Sequence, residues 1–195
     1  MEPGQPGPAV LMLTRQLPTP VVVAVLAVTL ATVLWLIGSR FPNAQNGAPI
    51  LTRASGPAPP IAGDSVQGDT FRLSDHRNKV VLVNFWATWC GPCRREIPEL
   101  IRLQERFGSR GFTVVGVSLD ENSGTATRVR PFVDEHKINY PVLLAPPGVQ
   151  EAYGGVPAIP ATFLIDKQGN LAGQVEGLAE EEQLAPVIER LLSSS

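Results

Sequence analysis

Apolar and polar residues alternate in different rhythms along this chain. Val21 to Ile37 has no rhythm at all, being an unbroken run of apolar or weakly polar residues without a charge. Lys79 to Trp86 and Phe112 to Leu119 are short runs rich in β-branched and aromatic residues. Such runs predict strands buried on both faces. From Cys93 to Phe107 the apolar positions Ile97, Leu100, Ile101 and Phe107 recur at helical spacing, with Leu103 beside them. Gly108 ends that helix and Pro98 predicts a bend within it. Gly124 to His136 reads as a helix interrupted by Pro131, Val142 to Leu144 as a short edge piece, and Gln150 to Tyr153 as one helical turn. Ala161–Ile165 and Leu171–Glu176 flank the turn cluster Asp166 to Asn170 and predict a hairpin. Gly68-Asp69 predicts another between Ile61–Gln67 and Thr70–Leu73. The last helix carries Leu184, Val187, Ile188 and Leu191 on one face, and Pro186 sets its expected start near Leu184. The order is that of an α/β sheet: a strand–helix–strand crossover for parallel strands, then an antiparallel hairpin.

The uncharged run changes the picture at the N-terminus. With Gly38 and Ser39 it reaches the lower length that spans a bilayer. Pro18 and Pro20 mark its start, and Trp35 stands where an interfacial aromatic would. The expected organisation is a tail over 1–20, a transmembrane anchor over 21–39, a linker over 40–56 and a globular domain over 57–195. A cleaved secretion signal is the competing reading, but no small-x-small cleavage site follows the run closely. The linker is rich in Pro, Gly, Ala, Asn and Ser, so about 20 such residues have a root-mean-square reach of about 25 Å. Arg15 precedes the apolar run and Arg40 and Arg53 follow it, so charge placement is nearly silent on orientation.

Charge excludes one class of partner. The formal net charge is −2. Arg15, Arg40 and Arg53 against Glu2 make the first 60 residues +2, which leaves −4 for the remainder. A mildly acidic domain with no basic stripe argues against nucleic acid.

The candidate chemistry is concentrated in Trp89-Cys90-Gly91-Pro92-Cys93, which holds both cysteines of the chain. The pair sits between a buried strand and the start of an amphipathic helix. Helix N-terminal N–H groups and the helix dipole favour a thiolate at Cys90, and the thiolate is the species that attacks disulfides. Two intervening residues bring the Cys93 sulfur around to close on it. Gly91 permits the tight turn, and Pro92 fixes φ where its missing N–H costs nothing. A structural zinc site needs further ligands, yet the chain has no third cysteine and only His76 and His136, both expected at the surface. No metal and no cofactor beyond the dithiol itself is expected.

Val81 to Cys93 resembles the active-site strand and helix start of thioredoxin-like proteins, and Ile159 to Asp166 resembles their cis-proline loop and following strand. The lead-in from Pro59 to Lys79 resembles the extra N-terminal hairpin of the TlpA/ResA branch, which are membrane-anchored thiol–disulfide oxidoreductases facing outside the cytoplasm. The resemblance runs from about residue 57 to the C-terminus. It implies a thioredoxin-like fold, a central mixed sheet flanked by helices, with an extra hairpin and a central insertion between about Gly116 and Ala158.

It also implies roles. Cys90 is the exposed nucleophile and Cys93 the shielded residue that resolves the mixed disulfide. Pro160 is the cis-proline, with Pro157 the competing assignment, and Ile159 offers backbone to a partner. Trp89 shapes partner contact and Trp86 supports the core. Thioredoxins carry a buried Asp six residues before the first cysteine; here that position is Asn84, which does not titrate. Glu96, one helical turn after Cys93, matches a Glu of the TlpA/ResA branch that takes the thiol proton; a surface Glu near a helix start is the alternative. Glu99 is a weaker candidate. Arg94 and Arg95 read as a solvated face. The implied partners are protein thiols and disulfides, such as those of apocytochrome c, with a membrane thiol carrier as electron donor. A peroxidase of the peroxiredoxin group would need Pro-x-x-x-Thr-x-x-Cys, whereas Thr88 lies two residues before Cys90 with no proline upstream in the strand. A copper-delivery module would place three residues between its cysteines and add a later His. A thiol oxidase remains the alternative with the same residues.

Overall fold

The computed structural model describes residue 23 and residues 28–33, 56–121 and 126–194. The chain divides into two units, Met1–Asn46 and Gly47–Ser195. In the first, residues 28–33 are helical, with Val28, Leu30 and Val33 exposed. Most of the expected anchor over 21–39, and all but residue 56 of the linker over 40–56, lie outside the described residues. Among the described residues no helix is long and apolar enough to cross a membrane.

The second unit begins with the predicted hairpin, strands β1 (Ala62–Asp64) and β2 (Thr70–Arg72). It continues through β3 (Val80–Trp86), helix α1 (Gly91–Phe107), β4 (Phe112–Ser118), α2 (Val129–Glu135) and β5 (Val142–Leu144). The short α3 (Val149–Ala152), strands β6 (Ala161–Ile165) and β7 (Leu171–Glu176) and the final α4 (Glu181–Ser193) complete it. The five-stranded sheet has the order β5-β4-β3-β6-β7. Strands β3, β4 and β5 run parallel; β6 and β7 are antiparallel, in the register set by Val83 opposite Phe163.

Every residue of β3 and β4 is buried, as uninterrupted apolar runs require. Alternate side chains feed two cores. Val80, Leu82 and Trp86 pack with Leu100, Leu103 and Phe107 of α1 and with Leu184 and Ile188 of α4. Val81, Val83 and Phe85 face Phe71 of the hairpin, Tyr153 and Phe163. Gly116 on β4 is required by this packing, because a Cβ there would lie 2.9 Å from Trp86 Nε1. The hairpin also covers the β5 edge: Ser65 bridges Leu143, and the Gln67 carboxamide donates to Tyr140 O at 2.8 Å and accepts from Val142 N at 3.1 Å.

Two sequence expectations need correction. The last helix starts at Glu181, not near Leu184, and runs on through an exposed Pro186. Its ring removes the backbone bond to the Glu182 carbonyl, and both residues are exposed, so the loss falls where solvent has access. The stretch expected as a helix over Gly124–His136 is a 3-10 turn, Ala126–Arg128, followed by α2. Its buried side chains are Val129, Phe132 and Val133, which span one turn and support no longer helix. Pro98, expected to bend rather than break α1, sits at an exposed position inside a continuous helix.

Candidate active site

Strand β3 delivers the chain to the site and α1 leaves from it. Cys90 is the N-cap of α1, in extended backbone conformation, with Pro92 inside the first turn. Its sulfur accepts the Cys93 N–H at 3.2 Å, so a backbone donor is aimed at it as helix-start geometry dictates. Cys90 and Cys93 form a disulfide, with Cα atoms 5.3 Å apart. Cys90 was expected exposed. It keeps only 6% of its surface accessible, against 0% for Cys93, because Ile159 lies over it. Its sulfur is 3.8 Å from the Ile159 carbonyl oxygen. Cys93 is the more deeply buried of the two, and Cys90 is buried rather than exposed.

The Ile159–Pro160 peptide bond is cis. It brings the half-buried Ile159 against the disulfide from the β6 side. Trp89, directly before Cys90, stands 57% exposed, the one large exposed apolar side chain among the described residues of this unit. Gly91 and Pro92 are exposed at the turn. Trp86 is buried beneath, 5.3 Å from the Phe132 ring.

Glu96 is fully buried, on the same face of α1 as Cys93. Three donors hold it. Asn84 Nδ2 donates to Oε2 at 2.8 Å, and Ala179 N and Thr162 Oγ1 donate to Oε1 at 2.9 and 3.3 Å. Asn84 also donates to Thr162 Oγ1 at 3.0 Å. Burial pushes the Glu96 carboxyl up to about 7, against the lowering effect of the Ala179 N–H, Asn84 and Thr162. A carboxyl there can hold or release a proton near neutral pH. Burial, and after it the charge of Glu96, raises the Tyr140 phenol well above its usual range. Glu99, one turn on, is pulled below the carboxylate range, first by its hydrogen bond from Arg102, with the Glu181 N–H adding to this.

The sequence reading missed Asp120. It is fully buried just beyond β4, and its carboxylate accepts from Thr88 N at 2.8 Å, Thr88 Oγ1 at 2.5 Å and Ser118 Oγ at 2.7 Å. It therefore anchors the loop that carries Trp89 and Cys90. An Asp two residues beyond the end of a buried parallel strand was the available signal, since sites gather at those carboxyl ends. Thr162 and the Ala179 N–H were also missed. His76 and His136 are half-buried, stacked on Phe71 and Phe132. Among the described residues no group of three or more His, Cys, Asp or Glu side chains could hold a metal ion.

A sequence model of the AhpC/TSA family matches residues 54–174. The chain belongs to the AhpC/TSA family. Among curated relatives, the thiol-disulfide oxidoreductase ResA of Geobacillus kaustophilus is 31% identical over 172 residues, covering 88% of this chain and 92% of the relative. Thioredoxin-like protein YneN of Bacillus subtilis is 34% identical over 112 residues, 57% of this chain and 65% of that protein. Among solved structures, a thioredoxin-family thiol:disulfide interchange protein from Chlorobium tepidum is 34% identical with a TM-score of 0.66, covering 73% of this chain and 99% of that one. A thioredoxin-like fold, the Cys90–Cys93 pair and relatives so named make this member of the family a thiol–disulfide oxidoreductase of the ResA type.

Proposed function

We propose that this chain is a membrane-tethered, extracytoplasmic oxidoreductase that reduces disulfides of exported proteins, apocytochrome c among the fitting substrates. A membrane thiol carrier recharges it. The anchor is the uncharged run over 21–39. Cys90 attacks the partner disulfide as a thiolate, and Cys93 resolves the mixed disulfide. Glu96 takes the Cys93 proton. Trp89, Ile159 and Pro160 contact the partner, and Gly91 and Pro92 shape the turn between the cysteines. The single observation that carries the reading is the pairing, on one helix, of the Cys90–Cys93 disulfide with a fully buried carboxyl one turn beyond Cys93. An AhpC/TSA match extends to proteins of other chemistry, but Thr88 at two residues before Cys90 does not supply the peroxidatic spacing.

The reduction potential tests the direction. Trp86 and Trp89 flank the disulfide and report it by fluorescence. In the full chain held in detergent, a value near or below about −230 mV fits a reductase, and one above about −150 mV makes the chain an oxidant instead.

A further inference from the structure

A groove of about 450 Å³ opens beside Trp89, the residue before Cys90. Phe132 and Pro131 of α2 form one apolar wall and the exposed Trp89 ring another. Two cations line it. Arg94 stands one turn after Cys90, its N–H bonded to the Cys90 carbonyl at 3.2 Å, and its guanidinium lies 5.6 Å from the Phe132 ring centroid. Arg128 ends the 3-10 turn that leads into α2. Among the described residues neither has an ion-pair partner, whereas Arg102 and Arg106 have two each and Arg130 has one. Glu135 is the single carboxylate of the lining, so the groove is positive in a domain that is otherwise acidic.

An exposed indole beside guanidinium forks is the residue pairing found where peptides are gripped, and the forks match a carboxylate. We propose that this groove receives an Asp or Glu side chain of the substrate polypeptide, on an extended segment that crosses Trp89. The proposal rests on the disulfide-exchange reading above. Trp89 precedes Cys90 directly and Arg94 follows it by one helical turn, so a segment crossing the groove carries its acidic side chain within a few residues of the target cysteine. The chemistry served is unchanged. The Cys90 thiolate attacks one sulfur of the substrate disulfide and displaces the first substrate thiolate. The Cys93 thiolate then attacks Cys90 Sγ and displaces the second. The dithiol gives up two electrons, and its two protons end on the two substrate thiols.

Three synthetic peptides test this, each a homodimer joined by one disulfide, identical except for Asp, Asn or Lys three positions from the cysteine. Their reduction by the full chain, reduced beforehand and held in detergent, is followed by tryptophan fluorescence. Each rate is divided by that with dithiothreitol, which removes intrinsic reactivity. At about 10 mM salt, where charges act over about 30 Å, the Asp peptide is expected to react about fivefold faster than the Lys peptide, with Asn between. The ordering collapses at about 1 M salt. The double variant Arg94→Glu, Arg128→Glu inverts it. Equal rates for the three peptides at low salt, or an ordering that the double variant and high salt leave intact, overturn the groove while the exchange reading stands. If even the Asn peptide is not reduced, the exchange reading falls and the groove with it.

Discussion

Glu96 and Glu99 are one helical turn apart on α1 and do the same job for the backbone, yet they live in opposite worlds. Each accepts an N–H from the start of α4: Glu96 from Ala179 at 2.9 Å, Glu99 from Glu181 at 3.3 Å. Around Glu96 the other donors are neutral, and no water reaches it. Around Glu99 lies an open ion-pair network in which Arg102 and Arg106 share Glu181. Burial raises one carboxyl and Arg102 lowers the other. The difference teaches that the helix position alone decides nothing about acidity; what packs over the side chain does. The segment from Gly177 to Glu180 closes over the first carboxyl and leaves the second at the surface.

The sharpest test of that contrast is the pH dependence of stability. Glu96 binds its proton more tightly folded than unfolded. Its contribution is therefore complete below the ordinary value of 4.5 and is lost as pH rises through about 7, a change of ~3 kcal/mol in all. Glu99 has the reverse sign: its contribution is present above 4.5 and is lost as pH falls through its depressed value. Urea unfolding of the oxidised chain between those pH values should show a decline that Glu96→Gln flattens and Glu99→Gln leaves alone. A decline of the same size in Glu96→Gln would refute the assignment.

The next effect is catalytic. Glu96→Gln should slow disulfide reduction by about 10²-fold at neutral pH and erase the inflection near 7 in its pH profile, whereas Glu99→Gln should stay close to wild type. Equal loss in the two variants would end the contrast. Asn84→Ala comes third. It removes a donor that lowers the Glu96 pKa, so the activity midpoint should move upward and stability should drop by about 1–3 kcal/mol, read from pH profiles and denaturant midpoints. Smallest is Arg102→Ala. Arg102 itself is exposed and water screens its pairs with the half-buried Glu99 and Glu181, so the fall in the denaturation midpoint is the smallest of the four and shrinks as salt is added.

Local signals carried much of this architecture. The apolar run from Val80 to Trp86 announced a central strand, and Gly-Pro between two cysteines announced the turn and the helix start. The hairpin over 161–176 followed from its turn cluster. What stayed hidden were contacts made across the sequence. The spacing of Glu96 from Cys93 placed it one turn away, but its burial depends on Thr162 and Ala179, more than 60 residues later. Asp120 reads as an ordinary residue after a strand until Thr88 folds onto it. Pro186 suggested a late helix start because proline rules assume a carbonyl that needs its partner, and here the loss falls where solvent has access. Cys90 was expected in the open because the helix position and the Ile159–Pro160 loop were legible, but how closely that loop packs over the sulfur was not.

The Gln67 side chain at the border of the sheet has a consequence for life in a crowd. Its carboxamide meets the backbone of β5 as one more residue of strand would, offering both a donor and an acceptor. A neighbouring molecule searching for an open ladder finds that stretch already occupied. Copies of this domain can thus be packed side by side without their sheets knitting together along β5.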